Sequence, residues 1–327
     1  MSSHYGKKYL MNLGMDSMHN AFVTGATGLL GSEIINLSQY AKAIGSYDVD
    51  LTAIDAPEKL SSMVDSRSVL IHCAARVGGV KANTDRVAEF YDDNIRMNLA
   101  VMEACRHTDC KLVSVMSTCI YPDAPHVTYP MTEDQLHLGP PHPSNFGYAY
   151  AKRMLDVQAR AYRQQWGCNF VNVIPNNLYG LNDNYDLEGG HVIPALIRRF
   201  HEAKLSGAPS VALWGSGRPL REFTFARDAA RIIHWIAEHY DGSDPINIGC
   251  TEEISIRELA EMIRDLVGYS GEIEWDLSKP EGQHRKPTSN QRLRELGWDG
   301  AYTPLREGLR ETVQSFVARY PNVRGVS

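Results

Sequence analysis

The feature that most restricts the fold is a glycine-spaced turn, Gly25-Ala26-Thr27-Gly28-Leu29-Leu30-Gly31, set between a short apolar run and a helix-like segment. Ala21 to Thr24 has the length of one buried strand, and Leu30 to about Tyr40 carries helical spacing. In such a strand–turn–helix unit Gly25 allows the tight turn, Gly28 lets a diphosphate approach the backbone, and Gly31 lets the helix close on the strand. The start of the helix offers free N–H groups and a positive dipole to phosphates. Glycine turns are common, so the G-x-x-G-x-x-G spacing alone says little. Its place in the first strand-to-helix turn gives it force.

Further short apolar runs follow at Lys42 to Ile44, Val69 to Ala74, Leu112 to Met116 and Phe170 to Ile174. Helical patterns lie among them, notably Phe90 to His107 and Tyr148 to Trp166. Strand and helix alternating in this way predict right-handed crossovers and a doubly wound parallel sheet, an α/β fold of Rossmann type, over residues 21–180. The Pro-rich stretch Tyr121 to Pro143 is too long for a plain connection and reads as a functional loop. Beyond Gly180, helices at Val192 to Ala203, Arg227 to Tyr240 and Ser255 to Val267 mix with short strands at Val211 to Leu213 and Ile246 to Ile248. Residues 181–327 are therefore expected to form a smaller C-terminal α/β substrate lobe, with some segments returning to the first domain. Residues 1–20 are polar and without period, and read as a mobile N-terminal extension.

Composition excludes several classes of function. With 327 residues, 43% of them hydrophobic, the chain can bury a large core. A net charge of −6 gives no basic face for nucleic acid. No apolar run reaches the length of a membrane span, and the start lacks the apolar stretch of a signal peptide, so a cytoplasmic location is expected. The six cysteines form no C-x-x-C pair and the histidines lack ligand spacing, which argues against a disulfide framework and against a metal site.

Two motifs bring chemistry. Tyr148 and Lys152 stand four residues apart on a predicted helix, which puts phenol and ammonium on one face. A nearby cation lowers the cost of the phenolate, so Tyr148 could act as acid or base near neutrality. Taken alone, a Y-x-x-x-K is more often an ordinary exposed pair. Ser117-Thr118-Cys119 follows a predicted strand, and ligands in parallel sheets bind beyond the carboxyl ends of strands. The bland reading there is a capping pair beside a buried thiol. The order of glycine turn, strand-end serine and Y-x-x-x-K is similar to that of the short-chain dehydrogenase/reductases.

Longer segments narrow the resemblance. A-A-R-V-G-G at 74–79, S-T-C-I-Y-P at 117–122, G-P-P-H-P-S-N-F-G-Y-A-Y-A-K-R-M at 139–154, I-P-N-N-L-Y-G at 174–180, G-H-V-I-P-A-L-I-R-R-F at 190–200, W-G-S-G-R-P-L-R-E-F at 214–223 and E-G-Q-H-R-K at 281–286 resemble the GDP-L-fucose synthase family. The resemblance implies an NADPH-dependent 3,5-epimerase/4-reductase acting on GDP-4-keto-6-deoxy-D-mannose, as a homodimer with a four-helix interface. It implies catalytic roles for Ser117, Tyr148 and Lys152 in reduction, and for Cys119 and His191 in proton exchange. It implies NADP(H) at Gly25, Ala26, Thr27, Gly28, Leu29, Leu30, Gly31, Ser46, Lys152, Pro175, Asn176, Asn177, Leu178 and His191. The GDP-sugar would meet Arg199, Trp214, Arg221, Glu281 and Lys286. This chain departs from the family in having Asn176 where many members have Thr, and Glu281 where some have Asp. Thr27 and Ser46 stand where some members carry the arginines that clamp a 2′-phosphate, while Asp48 and Asp50 read as turn residues. Competing readings are a related GDP-keto-sugar enzyme of colitose or heptose type, and a non-catalytic dinucleotide-binding protein. The presence of both Tyr148 and Lys152 weighs against the latter.

Overall fold

The computed structural model describes residues 20–279 and 283–326. Residues 1–19, which make up nearly all of the expected extension, and Glu281 lie outside the described residues. The chain runs β1 (Ala21–Thr24), α1 (Leu29–Leu37), β2 (Lys42–Ile44), α2 (Ala56–Ser61), β3 (Val69–His72), α3 (Val80–Asp85), α4 (Val87–Thr108), β4 (Lys111–Val115), α5 (Phe146–Trp166) and β5 (Phe170–Pro175). Then come β6 (Asn177–Tyr179), α6 (Val192–Ser206), β7 (Ser210–Trp214), β8 (Leu220–Phe225), α7 (Ala226–His239) and β9 (Ile246–Ile248). The last elements are β10 (Glu253–Ser255), α8 (Ile256–Val267), β11 (Glu272–Asp276), α9 (Gln291–Glu295) and α10 (Leu305–Arg319).

Six parallel strands lie in the order β2-β1-β3-β4-β5-β9. Their side chains alternate between two cores, as a pleat requires. Phe22, Leu70, Leu112 and Phe170 pack with Leu60, Val101 and Leu155 of α2, α4 and α5. Val23, Ile71, Val113 and Val171 pack on the opposite face with Ile34 of α1 and Ile232 and Ile233 of α7. Both α7 and β9 thus belong with the large sheet, although they follow the first lobe elements in sequence. They are returning segments, because the apolar side of α7 can be covered only by that sheet face. A third core, built on α6, α8 and α10, gathers Phe200, Ile263 and Phe316 beside Phe223 and Phe225 of β8. There β10, β8 and β6 form one small sheet, and β11 and β7 another.

The sheet grows outward in both directions from β1 and β3, so the crevice beyond their carboxyl ends is the switch point where ligands enter such folds. Two glycines decide whether this crevice can form. Gly25 sits at φ +68, where a β-carbon would stand 2.7 Å from Ala74 N. A β-carbon on Gly31 would stand 2.2 Å from Gly25 O. We expect Gly31→Ala to lower stability by about 1–3 kcal/mol, the usual cost of overpacking a closed site. Urea unfolding checks this, and an unchanged midpoint would show that the first turn of α1 can move aside.

Candidate active site

The strand β4 is buried from Leu112 onward and ends beside Ser117, which precedes a short 3₁₀ turn, Thr118–Ile120. That turn carries Cys119 back over the strand end, and its Sγ–H donates to Ser117 Oγ at 3.3 Å. From α5, Lys152 reaches the same place. Its Nζ donates to Val115 O at 2.9 Å, and the residue is 2% exposed. Tyr148 lies one helical turn earlier, half-buried, with its ring edge-on to Phe90 at 6.5 Å. Tyr150 faces outward beneath Arg153, as its offset from Lys152 predicts.

Burial governs the charges of this cluster. It brings Lys152 down to about 8, although the Cys73 and Cys119 thiols pull the other way. It holds the Tyr148 phenol well above its ordinary range, and Cys119 adds to that. The Y-x-x-x-K spacing predicts that Lys152 eases Tyr148 toward the phenolate. Instead desolvation raises the Tyr148 phenol, and it raises the Cys119 thiol as well. For Cys119 the opposing pull comes first from Lys286, then from Ser117 and Lys152.

Lys286 arrives from far along the chain. The Pro-rich loop crosses the end of the sheet, pairing Pro122 with Pro141 and Met131 with Thr288. Met131 N donates to Pro287 O at 2.8 Å, and Ser289 N to Met131 O at 2.9 Å. This fixes the segment after His284 against the loop and keeps the Lys286 charge close enough to favour the Cys119 thiolate. Arg221 of β8 shares that neighbourhood, and each cation lies in desolvating surroundings that lower its pKa.

A second wall comes from the chain before α6. His191 caps that helix with extended backbone and an exposed ring. Its Nδ1 lies 4.0 Å from Asp183 Oδ1, and Asp183 is 4% exposed. This carboxylate raises the imidazole pKa by more than desolvation lowers it. Gly79 N donates to Gly189 O at 2.9 Å, joining the A-A-R-V-G-G loop to the stretch ahead of His191.

Other expected residues divide. Ser46 is exposed at the end of β2, and Gly28 begins α1. Pro175 ends β5, and Leu178 packs in the sheet core. The Asn176 and Asn177 side chains are committed internally. Asn176 Nδ2 donates to Glu222 Oε2 at 3.2 Å and to Cys250 O at 2.7 Å, while Asn177 Nδ2 donates to Glu222 O at 2.8 Å. Beside a ligand, Asn176 could therefore offer backbone rather than its amide. Arg199 stands on α6, where no described carboxylate pairs with it, and Trp214 is 61% exposed at the end of β7 under Lys279. Neither contacts the Cys119 cluster. Asp183 and Glu222 went unnoticed in the sequence. The D-N pair after I-P-N-N-L-Y-G was the available sign for Asp183. Among the described residues, no group of three or more His, Cys, Asp or Glu could hold a metal ion, and no helix is long and apolar enough to cross a membrane.

Comparison with known proteins adds to this geometry. The NAD dependent epimerase/dehydratase family matches residues 21–249. A GDP-L-fucose synthase from Dictyostelium discoideum is 38% identical over 94% of this chain and 98% of its own length. That of Escherichia coli K12 is 36% identical over 94% of this chain and all of its own. The crystal structure of a GDP-L-fucose synthetase from Naegleria fowleri bound to NADP superposes with a TM-score of 0.86. It shares 37% identity, and the match covers 95% of this chain and 96% of that one.

The link between Lys286 and Cys119 is open to direct measurement. Lys286→Met should slow iodoacetamide alkylation of Cys119 at fixed pH and move its rise to higher pH, since the favourable charge is gone. Mass spectrometry of the Cys119 peptide separates it from the other thiols. Equal rates in both proteins would place the ammonium too far away to matter.

Proposed function

This chain belongs to the NAD dependent epimerase/dehydratase family, among its GDP-L-fucose synthases, and we propose that it converts GDP-4-keto-6-deoxy-D-mannose to GDP-L-fucose with NADPH. The reaction inverts C3 and C5 of the sugar and reduces C4. The observation that carries this reading is a thiol hydrogen-bonded to Ser117 at the strand end that Lys152 also reaches, with the charge of Lys286 favouring its thiolate. A plain reductase has use for Ser117, Tyr148 and Lys152 but none for Cys119.

The residues present fit the dinucleotide. Helix α1 begins with neither a side-chain cap nor an acid in its first turn, which leaves its amides for a diphosphate. Asp48 and Asp50 are tied into local turns, to Gly45 N at 2.8 Å and Thr52 N at 2.9 Å. Neither is presented as the ribose-binding acid that would favour NADH. When bound, NADPH supplies the hydride for C4. The cofactor would be held by residues 25–31 and Ser46, by backbone at 175–178, and by Lys152 and His191. Residues 21–180 with α7 and β9 are assigned to the cofactor, and the remainder of 181–327 chiefly to the sugar nucleotide.

During reduction Tyr148 gives its proton to the C4 oxygen, which Ser117 steadies by a hydrogen bond. During epimerisation the 4-keto group acidifies the protons at both C3 and C5. Cys119 removes each, and His191, kept protonated further up the pH range by Asp183, returns one on the opposite face. Arg199, Arg221 and Lys286 suit the diphosphate of the GDP-sugar, and Trp214 offers a flat apolar face. We place the enzyme in the cytoplasm, where its six unpaired cysteines would stay reduced.

A homodimer is part of the proposal. Helices α4 and α5 pack side by side, and outward from them stand Tyr91, Leu99, Tyr150, Met154 and Val157, each more than a third exposed. Such apolar side chains on neighbouring helices fit a shared four-helix face.

With GDP-4-keto-6-deoxymannose and NADPH, the product should be GDP-L-fucose carrying solvent deuterium at C3 and C5. Tyr148→Phe should lower turnover by about 10² or more, the usual scale for losing a general acid. Cys119→Ser should lose deuterium exchange while still binding NADPH. Wild-type exchange in that variant would sink the thiol's role and leave only a C4 reductase. For assembly, Val157→Glu should convert a dimer to a monomer in light scattering, and a monomeric wild type would end that part of the proposal.

A further inference from the structure

The last residues of the described chain are clipped against the cofactor crevice. After α10, Val323 and Val326 pack into the third core. Between them, Tyr185 N donates to Arg324 O at 2.9 Å, and Arg198 Nη1 donates to Gly325 O at 2.7 Å. Gly325 adopts φ +84 in contact with the 184–186 backbone, where a β-carbon would stand 2.1 Å from Asn184 Oδ1. Only glycine fits this position, and the clip therefore has one geometry. The same loop carries Asp183 behind His191 and packs on α1, where Asn182 Nδ2 donates to Ser32 Oγ at 2.9 Å.

The consequence is the position of one cation. A β-carbon built on Gly28 would stand 3.9 Å from Arg324 Nη1, so the guanidinium lies over the glycine-rich turn at the start of α1. No described carboxylate pairs with Arg324, and the first turn of α1 contains no acid. A cation beside the positive end of a helix is electrostatically disfavoured unless an anion lies between them. Arginine's planar fork suits phosphate oxygens, and a rigid backbone clip limits the ordering needed to use it.

We propose that Arg324, held by the Arg324-Gly325 clip, binds the diphosphate of the nicotinamide dinucleotide from the side opposite the glycine-rich turn. This rests on the reading of that turn as the NADPH site and deepens it. The second lobe then closes directly on the cofactor, and the end of the chain becomes part of the binding site.

The test is fluorescence titration of NADPH, NADH and GDP into wild type, Arg324→Ala and Arg324→Lys. Because the diphosphate is common to both dinucleotides, Arg324→Ala should weaken NADPH and NADH alike, by about tenfold or more for a charge-assisted contact. Arg324→Lys should fall between, and GDP affinity should not change. The side chain is exposed and unpaired, so thermal unfolding without nucleotide should match wild type. Unchanged dinucleotide affinity in Arg324→Ala overturns the proposal. Weakening of NADPH alone would assign the arginine to the 2′-phosphate, and weakening of GDP alone to the substrate; either result overturns it too. A wild type that binds neither dinucleotide would instead overturn the reading of the turn itself.

Discussion

Everything at the junction of the two lobes hangs on one buried carboxylate. Glu222 of β8 is 2% exposed and receives Thr288 N at 3.0 Å, Thr288 Oγ1 at 2.6 Å and Asn176 Nδ2 at 3.2 Å. Asn176 in turn accepts from Thr224 Oγ1 at 2.6 Å, and Cys250 N donates to the same hydroxyl at 2.8 Å. Burial still raises the Glu222 pKa, so the network offsets its desolvation only in part. Losing Thr288 N would leave Oε1 unmet, whereas Oε2 is held by both Thr288 Oγ1 and Asn176 Nδ2. The network joins the end of β5, the end of β9, β8 and the segment that carries Lys286. The segment that carries Lys286 is thereby held beside the sheet whose β4 end carries Ser117 and Cys119.

The charges within the site follow from that closure. Lys152 and Lys286 both act on the Cys119 thiol, Arg221 acts on Lys286, and burial lowers all three cation pKa values. Asp123 is the carboxylate that acts on Lys286. Surroundings so supplied with cations favour an anionic ligand, and they strengthen any developing oxyanion or thiolate beside those cations. At the opposite wall the balance reverses, with the Asp183 carboxylate behind the His191 imidazole. Thiol and imidazole thus sit in surroundings of opposite sign.

Much of the sheet was legible because its signals are local. Strands such as Ile246–Ile248 and Lys42–Ile44 were read at their true bounds, since each is a short apolar run between turn residues. Helices α4 and α5 began a few residues before their expected starts, at Val87 and Phe146, because their first turns lack strong capping signals. Helix α10 was not foreseen, although Leu309, Val313 and Phe316 repeat at helical spacing. Its polar face hid the pattern. The proton balance of Tyr148 was misjudged for a different reason. Sequence spacing brings a cation into view but says nothing of how far water is excluded.

What the sequence determined by itself is the order of parts: a glycine turn opening α1, a serine and cysteine at the end of β4, and Tyr148 four residues before Lys152 on α5. These depend on neighbours within a turn or two, where 3.6-residue and 2-residue periods fix which side chains share a face. Tertiary structure alone decided that the charge of Lys286 acts on Cys119, that Asp183 backs His191, and that Arg324 returns from the far end of the chain to lie over Gly28. The first and last of those join residues separated by long stretches of chain, while Asp183 and His191 lie within one loop. These contacts depend on groups such as the buried Glu222 and the left-handed Gly325, each of which accepts a single local packing.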